Sequence, residues 1–277
     1  MSNETKVNID ISDSTNEIIK NTLSKPTKSF GNACGIVLDF LTNTLLLPLQ
    51  KYNIKARFQL ENYAKELENR IMEIPTDKLV EPKINVIGPA FESLKYNMDE
   101  NDIKEMFTNL IIKSVNKDYK ESITPAFIDI IKQLSSEDAK YIKKLYEISK
   151  DYVPIIKLKL DFTEGFTTLT NYAIISDTDN YFFIDDFILD NLLRLKLVQI
   201  PHGIYLINTN YESIFNKIKE QPELKFFPIP NNAKLSYSGE KLEFTSFGKK
   251  FIDICLSWFY LNHLLCDLND YKYWLNF

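Results

Sequence analysis

Glycine is scarce in this sequence. It occurs 7 times in 277 residues, where average usage of roughly 7% would give about 19. The seven are Gly31, Gly35, Gly88, Gly165, Gly203, Gly239 and Gly248. No G-x-G-x-x-G and no G-x-x-x-x-G-K-[ST] can be assembled from them. Glycine is what lets backbone approach phosphate closely or take a positive φ, so Rossmann and P-loop readings are excluded. Histidine is scarcer still. With only His202 and His263, most zinc hydrolases, His-based triads and His-rich metal sites fall away. Cysteine is limited to Cys34, Cys255 and Cys266, an odd, low number that fits a reducing cytosol. The opening MSNETKVNIDISDSTNEIIKN is polar and mixed in charge, and reads as neither a signal nor a transit peptide.

What is present is ample material for a core: 44% hydrophobic and 13% aromatic residues. The net charge of −5, from 33 basic and 38 acidic side chains, has the wrong sign for a protein that works mainly by gripping phosphate backbone.

Residues 1–29 read as a loose leader, with a short edge strand at Val7, Ile9 and Ile11 and a short helix near 14–23. Residues 30–49, FGNACGIVLDFLTNTLLLPL, form the oddest stretch. Gly31 and Gly35 have G-x-x-x-G spacing, and Leu38, Leu41, Leu45 and Leu46 are apolar. Asp39, Asn43, Thr44 and Pro48 interrupt the run, which falls short of the roughly 18 apolar residues of a spanning helix. A buried amphipathic helix is the plainer reading; a segment that meets a membrane or a partner is the sharper one.

Leu60, Ala64, Leu67, Ile71 and Ile74 mark one face of a long helix over 50–74. Pro75, Pro82 and Pro89 then break the chain into a linker with a short helix at 88–95. Asp99 is the expected N-cap of the next helix, with Ile103, Phe107, Leu110, Ile111, Ser114 and Val115 as its buried stripe. Thr124-Pro125 opens another helix, and Ser135 with Asp138 forms a capping-box pattern before a further one. After Pro154 the chain turns β-branched and threonine-rich, which predicts strands. Residues 184–195 return to helical spacing through Ile184, Phe187, Ile188, Leu192 and Leu195. KLVQIPHGIYLI predicts two short strands around a Pro-His-Gly turn. A polar helix near 210–219, a turn at Gly239, a strand at 241–245 and a helix beyond Thr245 complete the reading.

Several pieces of the chain resemble the bacterial abortive-infection alpha (Abi-alpha) family. They are Lys83-Ile84 through Pro89, Asp102-Ile103-x-x-Met106-Phe107, Thr124-Pro125-Ala126-Phe127-Ile128, Ile130-Ile131-Lys132-Gln133-Leu134-Ser135 and Asp138-Ala139. Asn191-Leu192-x-Arg194-Leu195-x-Leu197-Val198 and Leu242-x-Phe244-Thr245-x-Phe247-Gly248-x-x-Phe251-x-x-x-Cys255 are similar too. Ser136 departs from the family's usual proline, and Thr124 stands where histidine is common. The resemblance implies a part in abortive phage infection. It brings no enzyme activity and no catalytic residue with it.

The C-terminal pattern also resembles the wing end of a winged-helix domain, with Thr245 as cap and Gly248 in close packing. A DNA-reading helix needs basic or amide side chains on one face. Residues 184–195 instead carry Asp185, Asp186 and Asp190 against Arg194, which disfavours nucleic acid. Cys255, His263 and Cys266 lack a fourth zinc ligand, and no acid pair has a nucleophile or general acid beside it. No metal, cofactor or catalytic residue is therefore expected.

The expected protein is mainly α: a helical domain over 30–150, then a smaller α+β, winged-helix-like domain over 155–277. Its expected function is non-enzymatic phage defence through contacts with an unidentified host or phage protein, in the cytoplasm. Membrane perturbation by residues 30–49 and DNA-binding regulation are the alternatives, and self-association is a further candidate.

Overall fold

The computed structural model describes residues 31–46, 54–175, 180–206, 209–222 and 226–256. The leader, His263, Cys266 and the C-terminal aromatic residues lie outside them. The protein is α+β, rich in helix, with two compact units that meet in sequence between Lys132 and Gln133.

The first unit is helical. Helix α1, Gly31–Phe40, runs into a π-helical turn, Leu41–Leu46. Helix α2, Ile54–Met72, buries Leu60, Ala64, Leu67 and Ile71 as its spacing requires. Helix α3 is Ile84–Leu94, longer than expected because Pro89 lies inside it. Proline removes one helical N–H bond and crowds the carbonyl of Asn85. Both residues are exposed, so water can serve that carbonyl. Helix α4, Asn101–Ser114, begins after Glu100 rather than Asp99, and no side chain caps it. Its last nine residues, Met106 to Ser114, are all buried, so it is the core of the unit rather than an amphipathic cover. Helix α5, Ala126–Ile131, follows Thr124, whose hydroxyl accepts from Ala126 N at 3.4 Å.

Helices α2 and α4 are joined by polar groups. Arg70, 5% exposed, donates to both Glu105 oxygens at 3.1 and 2.6 Å and to Asn109 Oδ1 at 2.9 Å. The Tyr63 and Thr108 hydroxyls pair at 3.0 Å, and burial drives the Tyr63 phenol well above its ordinary pKa.

The second unit opens with α6, Ser136–Ile148, behind the expected capping box: Ser135 Oγ accepts from Asp138 N at 3.1 Å and Asp138 Oδ2 from Ser135 N at 2.8 Å. A five-stranded antiparallel sheet follows, in the order β3-β2-β1-β5-β4. Its strands are β1, Tyr152–Phe162; β2, Gly165–Ile175; β3, Asn180–Phe183; β4, Val198–Gln199; and β5, Lys234–Phe244. Helix α7, Asp186–Arg194, precedes β4; α8, Thr209–Lys219, precedes β5; and α9, Ser246–Cys255, follows it.

Three local expectations change. Among the described residues of KLVQIPHGIYLI only β4 forms a strand, and it pairs with β5; farther on, Leu206 N reaches Gly239 O of β5 at 2.7 Å. Gly239 is therefore inside a strand, not a turn. A Cβ there would stand 2.6 Å from Leu206 O and 2.8 Å from the Tyr211 ring. Phe187 is 79% exposed, while Leu189 takes the buried position on α7.

Candidate functional site

Strand alternation gives the sheet two faces. On one, Ile156 and Leu158 of β1 and Leu235 and Tyr237 of β5 pack against Tyr211, Ile214, Phe215 and Ile218 of α8. The other face is split along its length. Val153, Ile155, Leu242, Phe244 and Val198 are buried at one end, where Tyr146 of α6 meets Phe244 edge-on at 5.4 Å. Beyond them the pattern continues as Lys157 and Lys159, opposite Ser238 and Ser236. Lys157 and Lys159 stay partly exposed there, where Val153 and Ile155 are buried.

The uncovered end is the floor of a cleft of about 830 Å³. Lys157, Lys159, Phe166, Lys196, His202, Tyr205, Ser238 and Glu240 line it, with the loop 199–205 as one wall. Glu240 marks the border between the apolar and polar halves. It pairs with Lys157 at 3.0 Å and accepts from Ser238 Oγ at 3.1 Å. Lys159 Nζ lies 4.8 Å from the centre of the Phe166 ring. Among the described residues neither Lys159 nor Lys196 pairs with an acid.

Lys196 stands at φ +58°. Leu197 N reaches Leu192 O at 3.1 Å and Lys196 N reaches Leu193 O at 3.0 Å, the Schellman ending of α7. Glycine takes this left-handed position without cost, whereas other residues pay about 1 kcal/mol. Gly203, at φ +74°, turns the opposite wall.

The sequence-derived site residues lie elsewhere, in the helical unit. Gly31 starts α1, and a Cβ on Gly35 would meet nothing within 4 Å. Leu38, Leu41 and Leu45 are buried, beside Phe40, whose ring stacks on Phe91 at 6.5 Å. The side chain of Leu46 is outside the described residues. No helix among the described residues is long and apolar enough to cross a membrane. No group of three His, Cys, Asp or Glu among them could hold a metal ion. Burial, then the charge of Glu68, raises the Cys34 thiol pKa, which keeps it in its unreactive protonated form.

The cleft was hidden in the sequence for a clear reason. Lys157 and Lys159 are visible as alternation in KLKL, but alternation alone does not tell which end of a face stays uncovered. The left-handed backbone of Lys196 has no sequence signal at all.

Several stretches that carry the family resemblance meet one another in the second unit. Asn191 Nδ2 donates to Asp138 Oδ2 at 3.1 Å and to Gln133 O at 3.3 Å. Arg194 reaches Gln133 Oε1 at 2.8 Å and Asn191 Oδ1 at 2.7 Å. Thr245 Oγ1 accepts from Gly248 N at 2.8 Å and donates to Lys196 O at 2.5 Å. These residues cap and join elements.

Residues 55–255 match the family model described as abortive infection alpha, which covers more than half of the chain. No curated protein and no solved structure matches.

Proposed function

The chain belongs to the abortive infection alpha family, and from that premise we propose that it acts in phage defence without catalysis, through contacts with another protein, from the cytoplasm. One observation carries this reading. Helix α7 presents Phe187, 79% exposed, among the exposed acids Asp185, Asp186 and Asp190. A large ring in water favours a protein partner that would cover it, and the acids around it repel phosphate. The pairing of β4 with β5 and the Thr245-capped start of α9 favour a winged-helix-like element, elaborated by α8 between the two strands, used as a protein-docking module rather than a DNA reader.

The residues matched to the family also fit a non-catalytic part. Gln133, Ser135, Asp138, Asn191 and Arg194 hydrogen-bond to one another. A membrane-perturbing role for residues 30–49 would instead require Leu38, Leu41 and Leu45 to leave the core of the helical unit.

Phage plating efficiency on cells that express the protein tests the reading. Phe187→Ala and Asp186→Asn/Asp190→Asn should fold with unchanged melting temperature and lose protection. Full protection by both variants at equal protein levels would remove α7 as the contact surface. Dye release from liposomes by the wild type, abolished in Leu45→Asp, would favour the membrane reading.

A further inference from the structure

We propose that the cleft on the open half of the sheet binds a small phosphate-bearing ligand with a planar ring, of the nucleotide class. This site is separate from the α7 surface, and the proposal stands or falls independently of it.

Charge is the first argument. Lys157, Lys159 and Lys196 line the cleft against the single carboxylate of Glu240, while the whole chain carries −5. Glu240 is occupied by Lys157 and Ser238, so it steadies one ammonium, and among the described residues the other two pair with no acid. A cluster of cations in an acidic protein marks a place where an anion is held. Lysine ammonium groups bind phosphate oxygens as point charges.

Backbone strain is the second, and it is independent. Lys196 occupies a left-handed position that ends α7. Glycine would make the same two backbone bonds without strain. The Lys196 side chain is exposed and makes no hydrogen bond or ion pair among the described residues, so no polar contact of the side chain repays the strain. It places a cation at the rim of the cleft, and strained positions of this kind gather at ligand sites.

The walls specify the rest of the ligand. Phe166 and Tyr205 line the same cleft and are each 62% exposed. Exposed rings beside cations stack the flat faces of bases whatever their identity. The volume of about 830 Å³ lies within the range of about 300–1,000 Å³ for small-molecule pockets. No glycine-rich loop is needed, because side chains rather than backbone amides supply the positive charge.

The test is equilibrium binding to the full chain of ATP, GTP, CTP and UTP, of inorganic triphosphate, and of a ten-nucleotide single-stranded RNA. At least one nucleotide should bind more tightly than triphosphate. Lys196→Gly should lower its affinity at least about tenfold, equivalent to about 1.4 kcal/mol, while the melting temperature stays equal or rises. That combination separates a binding role from a structural one. Phe166→Ala should weaken the nucleotide and leave triphosphate unchanged. Absence of binding by every nucleotide and by triphosphate at millimolar concentration would overturn the proposal. So would unchanged affinity in Lys196→Gly, or binding of the RNA alone, which would reassign the cleft to a nucleic-acid strand.

Discussion

Asn191 and Asp138, 53 positions apart in the chain, are held by a hydrogen bond of 3.1 Å from Nδ2 to Oδ2. The same Oδ2 accepts from the backbone N–H and the hydroxyl of Ser135 at 2.8 Å each. A cap that is local in the sequence thus becomes the anchor of a long-range joint between α6 and α7. Asp138 is 2% exposed, so loss of a donor leaves a buried carboxylate short of partners. Asn191→Ala should lower stability by about 1–3 kcal/mol. A double-mutant cycle with Asp138→Ala should give a coupling of about 0.5–3 kcal/mol by denaturant melts. Zero coupling would mean that the two residues act separately.

Gly248 makes the tightest demand on side-chain size. A Cβ there would stand 1.9 Å from the carbonyl oxygen of Leu197 and 2.7 Å from its carbon. Those atoms are backbone, fixed by the end of α7 and by Thr245 N bound to Leu197 O at 3.2 Å. Gly248→Ala should cost about 3 kcal/mol or more, at the upper end of overpacking. Gly35→Ala is the opposite case, since a Cβ on that helical glycine meets nothing within 4 Å. It should stabilise by about 0.5–1 kcal/mol through helix propensity. Thermal melts of the two variants should move in opposite directions.

Signals confined to a few neighbouring residues were readable without coordinates. Ser135 with Asp138, Thr245 with Gly248 and the stripe of α2 each depend on spacing within one or two turns. The change of character at Pro154 marks the start of the sheet for the same reason. Pro89 misled because a proline is punctuation only if the lost hydrogen bond matters, and here it falls on an exposed face. Gly239 misled because its reason, the approach of Leu206 and Tyr211, lies about 30 positions away. Phe187 fits helical periodicity yet faces water, since periodicity assigns a face by average rather than residue by residue. The cleft depends on all of these at once: on register, on which helices cover which half-face, and on one left-handed lysine.

Arg70 supports a prediction of non-additivity. Its guanidinium grips Glu105 through two bonds, and both residues are largely shielded, at 5% and 18% side-chain exposure. Removal of one partner from such a pair typically costs about 3–5 kcal/mol, because the other is left with unmet charge. Arg70→Met, which strips Glu105 of its partner, should destabilise on that scale; Glu105→Leu should cost less, because Glu66 Oε1 still lies 3.3 Å from Arg70 Nη1 and Asn109 Oδ1 still accepts from Nη2 at 2.9 Å. The double variant should recover most of the loss, as apolar replacement of buried pairs does. Urea melts of the four proteins would check this. A double variant as unstable as the sum of the singles would assign Arg70 a packing role alone.

Glu243 gives the fold a measurable response to acid. Hydrogen bonds from Lys241 and Gln199 hold its carboxyl below the ordinary carboxylate pKa, with contacts of 2.6 and 2.7 Å. The folded state therefore prefers the ionised form, and the sign of the linkage follows. The contribution is fully present above the unfolded carboxylate pKa and is lost as pH falls through the lower folded value. Its size is that of a partly exposed ion pair, about 0.2–1 kcal/mol. Glu243→Gln should accordingly melt slightly below the wild type near pH 7, and the two should converge as pH falls below the lowered folded value. A gap that does not narrow as pH falls would show that the amide disturbs the β4–β5 edge by something other than charge. High salt offers a second check: screening should shrink the gap at pH 7, since both Glu243 and Lys241 reach solvent.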